Sequence, residues 1–227
     1  MPRAKPTPRA KKGAAPPDPQ HTVVLLVRHG QTPSTGQSLP GRAAGLHLAE
    51  SGVAQADAVA LRIAALGEGK VAAVYASPLE RTRETAAPIG KALGQKVIRE
   101  KGLLECDFGE WTGAALADLR KLPEWNTVQR YPSGFRFPGG ESFTEMQNRI
   151  TATLARLAAQ HRGHTIVCVS HADPIKAAVA HAMGTHLDLF QRIVINPCSV
   201  SALFLSPGGP AVLTVNNVDE LSALALA

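Results

Sequence analysis

The chain has 227 residues, 44% of them hydrophobic and 19% charged, with a formal net charge of +6. That length provides for a full hydrophobic core, and no apolar run approaches the roughly 20 residues needed to cross a bilayer. The charge is concentrated at the start: Arg3, Lys5, Arg9, Lys11 and Lys12 against Asp18 give the first 22 residues +4, leaving about +2 for the rest, which is not the footprint of a nucleic-acid-binding domain.

The opening segment also holds six of the 17 prolines and no large apolar residue except Met1. Residues 1–21 are therefore read as a disordered, basic, Pro-rich tail, with nonspecific nucleic-acid contact as the sharper alternative to simple solvation. A continuous secretory h-region is missing. Cys106, Cys168 and Cys198 are scattered and odd in number, which predicts reduced thiols in a cytoplasmic protein and argues against a disulfide framework or a clustered zinc site.

The run Val23-Val24-Leu25-Leu26 predicts a buried strand that delivers Arg28, His29 and Gly30 to the rim of a sheet. Residues 31–50 are rich in Gly, Pro, Ser and Thr and read as a long loop at the same edge. A helix over about 51–66 follows, with Val53, Ala56, Ala60 and Ile63 at three- and four-residue spacings. Val71-Ala72-Ala73-Val74-Tyr75 is a second buried strand, ending at Ser77-Pro78. Residues 81–93 form the next helix, closed by Gly94.

A short strand is expected at 96–99. Residues 102–140 show little periodicity beyond a helical piece near 114–122, and are assigned as a lid-like insertion with Trp111, Trp125, Phe135 and Phe137 in its core. Ser142 and Glu145 form an S-x-x-E capping box, followed by Phe143, Met146, Ile150, Leu154 and Leu157 on one helical face to about 161. Thr165-Ile166-Val167-Cys168-Val169 is another buried strand, ending at Ser170-His171. The helix after it starts at Asp173-Pro174 and stops at Gly184. Strands at 193–195, 200–205 and 212–215 close the chain, the last two as a hairpin across Pro207-Gly208-Gly209-Pro210.

This alternation predicts an α/β fold: a three-layer α/β/α sandwich around a mostly parallel sheet with one antiparallel edge, formed by residues 22–227 as a single domain. In such a sheet Arg28 and His29, Ser77 with Arg81 and Arg83, and His171 all lie on one edge, an arrangement suited to an anion. Glu105, Asp107 and Glu110 are the carboxyl groups that could protonate a leaving oxygen, since a carboxyl near aromatic surface retains its proton near pH 7. P-loop, dinucleotide and serine-hydrolase signatures are missing.

These residues resemble the histidine phosphatase (phosphoglycerate mutase-like) superfamily over about residues 22–218. The pieces stand in family order: Val27-Arg28-His29-Gly30-Gln31-Thr32; Leu39-Pro40-Gly41-Arg42; Glu50-Ser51-Gly52 with Gln55-Ala56; Ser77-Pro78-Leu79-Glu80-Arg81 with Thr85-Ala86; Leu104-Glu105 with Phe108-Gly109-Glu110-Trp111; Pro138-Gly139-Gly140-Glu141-Ser142; and Ser170-His171.

The resemblance implies that His29 is the nucleophile that becomes phosphorylated and that Arg28, Arg81 and His171 bind the phosphoryl group. It further implies Glu105 as proton donor and no metal or other cofactor. Gln31, Thr32, Thr35 and Arg42 are candidate substrate contacts. The chain departs from the family pattern at Thr35, where Asn is common, at Ala43 and at Ala172-Asp173. Asp173, so near a phosphate, is expected to cap the following helix.

The implied activity is hydrolysis of a small phosphorylated metabolite, by a cytoplasmic monomer or homodimer with no membrane or specific nucleic-acid partner. Two alternatives are a cofactor-dependent phosphoglycerate mutase and a noncatalytic phospholigand-binding protein. Only 65 residues separate Glu105 from His171, short for the mutases.

Overall fold

The computed structural model describes residues 20–221 and Leu224. The tail expected over 1–21 lies outside the described residues as far as residue 19. Gln20 is exposed, and the His21 ring already stacks on Phe204 with centroids 4.7 Å apart.

Among the described residues one six-stranded sheet runs β3-β2-β4-β1-β5-β6. Its strands are β1 Thr22–Arg28, β2 Val71–Ala76, β3 Val97–Arg99, β4 Thr165–Ser170, β5 Val200–Ser206 and β6 Gly209–Asn217. The β1/β4, β2/β4 and β2/β3 pairs are parallel, whereas β5 is antiparallel to β1 and to β6. The fold is therefore the expected α/β sandwich with an antiparallel edge.

Alternation along β1 explains why its sequence is uniformly apolar. Val23, Leu25 and Val27 pack under α1 (Glu50–Ala64) and α2 (Glu80–Leu93), while Val24 and Leu26 face α5 (Phe143–Gln160) and α6 (Ala172–Ala182). Burial on both faces leaves polar residues only at the two strand ends, Thr22 and Arg28, where Arg28 emerges.

The long helix α5 is built as its sequence demands. Ser142 Oγ accepts the Glu145 N–H at 3.1 Å, and the Ser142 N–H donates to Glu145 at 3.0 Å, closing the capping box. Phe143, Met146, Ile150, Leu154 and Leu157 form the buried stripe. At the end of α2, Gly94 takes the left-handed conformation with φ 64°, where a side chain would be strained.

Two expectations are corrected. Residues 193–195 are not a strand: a 3₁₀ helix spans Leu187–Arg192, and beyond it the backbone bonds to side chains instead of a ladder. The Ile195 carbonyl accepts from Arg28 and the Asn196 N–H donates to Asn216. The β-branched run Ile193-Val194-Ile195 imitates a strand, although only Ile195 is buried, between exposed neighbours.

Asp173 does not cap α6. His171 is the N-cap, with no side-chain capping hydrogen bond, and Asp173 sits in the first turn paired with Lys176 at 3.4 Å. It still complements the helix dipole there.

The 102–140 stretch packs into the core of the domain. It contains α3 (Leu116–Leu119) and α4 (Glu124–Arg130), and Phe108, Trp111, Phe135 and Phe137 belong to the same buried cluster as Val24 and Leu26 of the central strand. Their rings meet edge-on, Phe135 to Phe137 at 4.9 Å and Phe137 to Phe143 at 5.2 Å. The 31–50 loop is fastened to this stretch through the Leu39 N–H to the Ala114 carbonyl at 3.0 Å and the Leu116 N–H to the Gln37 carbonyl at 2.9 Å.

Candidate active site

Parallel pairing brings the polar strand ends together. Arg28 stands beside Ser170 in register, the His29 N–H donates to the Ser170 carbonyl at 3.0 Å, and the Ser77 N–H donates to the Val169 carbonyl at 3.0 Å. Because β4 inserts between β1 and β2, His29, Ser77 and His171 become neighbours although they are distant in sequence. The His29 and His171 rings lie with centroids 5.2 Å apart.

The tautomer of His29 follows from its partner. Nδ1 lies 2.7 Å from the Gly30 carbonyl, which only accepts, so Nδ1 carries the proton and Nε2 keeps its lone pair. Gly30 is itself tied down: its N–H donates to Thr85 Oγ1 at 3.0 Å, and that hydroxyl donates to the Arg81 carbonyl at 2.7 Å. Burial, reinforced by Arg81 and then Arg28, presses His29 down to about 3. Burial is thus the larger cause of its neutrality, with the cationic neighbours second. At pH 7 the protonated fraction is on the order of 1 in 10,000.

Arg81 is completely buried. One nitrogen, Nη2, donates to the Gly41 carbonyl at 2.7 Å and to His171 Nδ1 at 3.2 Å. Arginine only donates, so His171 Nδ1 accepts, and its Nε2–H donates to Ser77 Oγ at 2.9 Å. Burial and the Arg81 charge hold His171 well below its ordinary value.

Arg28 Nη1 donates to the Ile195 carbonyl at 2.7 Å. Arg28 Nε and Arg81 Nε and Nη1 are buried with no acceptor among the described residues. Buried cationic donors left without acceptors are costly, and a phosphoryl group is the chemistry that satisfies them. Arg83, two residues on, pairs with Glu80 at 4.0 Å and lies toward the solvent.

Of the three candidate acids, Glu105 is buried, whereas Glu110 is exposed and Asp107 is paired with Arg42 at 3.3 Å. Burial, then Asp173, raises Glu105 to about 7, against the opposing pull of the Cys106 N–H, Arg81 and Arg28. A carboxyl half-protonated near neutrality can donate and then accept a proton.

The four candidate substrate contacts fall into different places. Gln31 is exposed at the mouth. Thr32 and Thr35 hydroxyls bond to each other at 3.0 Å, and Thr35 also accepts the Thr32 N–H at 2.9 Å, so both stabilise the turn. Arg42 is directed inward, to the Glu105 carbonyl, Asp107 and Glu141.

Glu141 and Arg149, with no assigned role in the sequence, and Asp173, expected only as a cap, also converge here. Arg149 flanks the buried stripe of α5, three residues after Met146, and a charge at such a position signals a buried partner.

A model described as histidine phosphatase superfamily (branch 1) matches residues 24–218. The chain is 33% identical over 202 residues to the "Bifunctional protein Rv2228c" of Mycobacterium tuberculosis, a match covering 88% of this chain and 55% of that protein. It thus spans about half the length of that relative. Phosphoserine phosphatase 1 of Hydrogenobacter thermophilus is 30% identical over 198 residues, covering 85% of this chain and 91% of that protein. A solved structure of a phosphoserine phosphatase mutant from Entamoeba histolytica, in complex with phosphoserine, aligns with a TM-score of 0.78 at 26% identity, covering 88% of this chain and 99% of that one.

Proposed function

Because the chain belongs to the histidine phosphatase superfamily, we propose that it is a metal-independent phosphomonoester hydrolase working through a phosphohistidine at His29. The observation that carries this reading is the His29 Nδ1–H to Gly30 carbonyl bond, which fixes an unprotonated Nε2 in a buried site beside Arg28 and Arg81.

The Nε2 lone pair attacks phosphorus, forming an N–P bond as the ester P–O bond breaks. The departing oxygen takes the proton of Glu105. Water then attacks the phosphohistidine, giving its proton to the Glu105 carboxylate while the N–P electron pair returns to Nε2 and inorganic phosphate leaves. Arg28 and Arg81 stabilise charge on the phosphoryl oxygens, the task that magnesium performs in other phosphotransferases. Neutral His171, anchored between Arg81 and Ser77, reaches the same group by turning its Nε2–H from Ser77 to a phosphoryl oxygen.

The substrate is a small phosphorylated metabolite; phosphoserine, named for two of the relatives, is the first to screen. Three buried, unpaired thiols support a cytoplasmic setting. Among the described residues no helix is long and apolar enough to cross a membrane.

Purified protein in EDTA is expected to hydrolyse p-nitrophenyl phosphate, and His29→Ala to lose both turnover and acid-labile phosphoenzyme. Strict dependence on added metal, or activity surviving in His29→Ala, would overturn the reading. A coupled assay with 2,3-bisphosphoglycerate separates hydrolase from mutase.

A further inference from the structure

The acid-bearing segment is held in an unusual way. Residues 104–108 belong to no helix or strand, yet four consecutive backbone carbonyls before and at the acid are each bound by a side chain. Arg149 Nη1 donates to the Gly102 and Leu104 carbonyls, both at 2.9 Å, and Ser170 Oγ donates to the Leu103 carbonyl at 2.7 Å. The Glu105 carbonyl receives two guanidinium groups, Arg42 Nε at 2.9 Å and Arg149 Nη2 at 3.2 Å.

Glu141 fastens these two arginines to each other. Its carboxylate accepts Arg149 Nε at 2.8 Å and Nη2 at 2.9 Å, Arg42 Nη2 at 2.9 Å, and the Asp107 N–H at 3.2 Å. Three half-buried charges in reciprocal, multiply bonded geometry have few alternative arrangements.

We propose that Glu141, acting through Arg42 and Arg149, is a positioning residue that fixes the Glu105 peptide and so aims its carboxyl at the leaving oxygen. The proposal rests on the reading of Glu105 as proton donor. A regular element supplies its own backbone partners; among the described residues the Leu104 and Glu105 carbonyls have no backbone donor, and side chains supply theirs. A catalytic group held about 1 Å out of place loses on the order of a hundredfold in rate. Neither arginine needs to contact substrate for this. Their charges are matched locally by Glu141 and Asp107, which also keeps an excess of cations away from the acid. The site's ordinary burial raises Glu141, but Arg149, the Asp107 N–H and Arg42 outweigh it and hold the carboxylate ionised.

The test compares native protein, Glu141→Gln, Glu105→Gln and the double variant on aryl and alkyl phosphates of graded leaving-group basicity. Glu141→Gln is expected to lose about a hundredfold in kcat on alkyl phosphates, little on p-nitrophenyl phosphate, and nothing in its affinity for inorganic phosphate. Its alkaline pH limb is expected to move to lower pH, because uncompensated guanidinium charge favours the Glu105 carboxylate. In the Glu105→Gln background the substitution is expected to cost nothing further.

Unchanged leaving-group dependence in a folded Glu141→Gln, or additive losses in the double variant, would overturn the clamp alone. If Glu105→Gln itself shows no leaving-group dependence, the acid assignment fails and the clamp with it. Should Glu141→Gln fail to fold, Arg42→Gln on its partly exposed loop carries the same comparison.

Discussion

His29 and Glu105 share one buried site yet are driven to opposite protonation: burial with Arg81 and Arg28 presses the imidazole down to about 3, while burial with Asp173 lifts the carboxyl to about 7. A neutral nucleophile beside a protonated acid is the pair that phosphoryl transfer to histidine requires, and burial drives both shifts.

The first expected consequence concerns rate. In the proposed mechanism Glu105 is protonated when it expels the leaving group, so kcat/KM for an alkyl phosphate should fall as pH rises through about 7. His29 stays unprotonated down to about 3 and should impose no acid limb above pH 4 or so, leaving only the substrate's own ionisation near 6. A pH–rate profile of Glu105→Gln should lack the alkaline limb; persistence of that limb would assign it elsewhere.

A second consequence concerns stability, with opposite signs for the two groups. The folded His29 binds its proton more weakly than the unfolded imidazole, so stability is lost as pH falls from about 6.5 toward 3. Glu105 behaves in reverse: its folded carboxyl retains a proton that the unfolded chain releases, so stability is lost as pH rises from about 4.5 toward 7. Melting temperature against pH should therefore show Glu105→Gln gaining on native protein across that upper window, and His29→Ala losing less than native on the acid side.

Close approach of two backbones supports the loop that carries His29. A Cβ on Gly52 would overlap the backbone of Gln31, and one on Gly30 would meet the Gly52 carbonyl. Gly52→Ala is expected to cost about 1–3 kcal/mol through this overlap. The corresponding drop in melting temperature is roughly 2–12 °C for a chain of this size. Activity should fall as well, since relief requires moving Gln31, two residues from His29.

The start of α5 allows a smaller, cleaner measurement. Ser142→Ala removes one half of the capping box and is expected to cost about 1 kcal/mol in thermal or denaturant unfolding. The capping effect should be visible as stability with little change in phosphate affinity, because neither Ser142 nor Glu145 bonds to Arg28, Arg81, His29 or His171.

Local chemistry wrote much of this protein plainly into its sequence. Strand runs buried on both faces, the Ser142 to Glu145 box and Gly94 after α2 are readable because neighbouring residues alone decide them. The parallel alternation then places Arg28, His29, Ser77 and His171 on one edge before any coordinate is known. Tertiary structure decided what depends on partners far along the chain: that Arg42 turns to the Glu105 carbonyl, that Asp173 pairs with Lys176 instead of capping, and that Ile195 and Asn196 bond to the side chains of Arg28 and Asn216 outside any ladder. It also decided the protonation of the site, because desolvation is a property of how completely a group is enclosed and has no expression in spacing. Glu105, Asp107 and Glu110 are equivalent carboxylates on paper; only packing around Phe108, Trp111 and Phe137 buries the first, pairs the second and leaves the third in water.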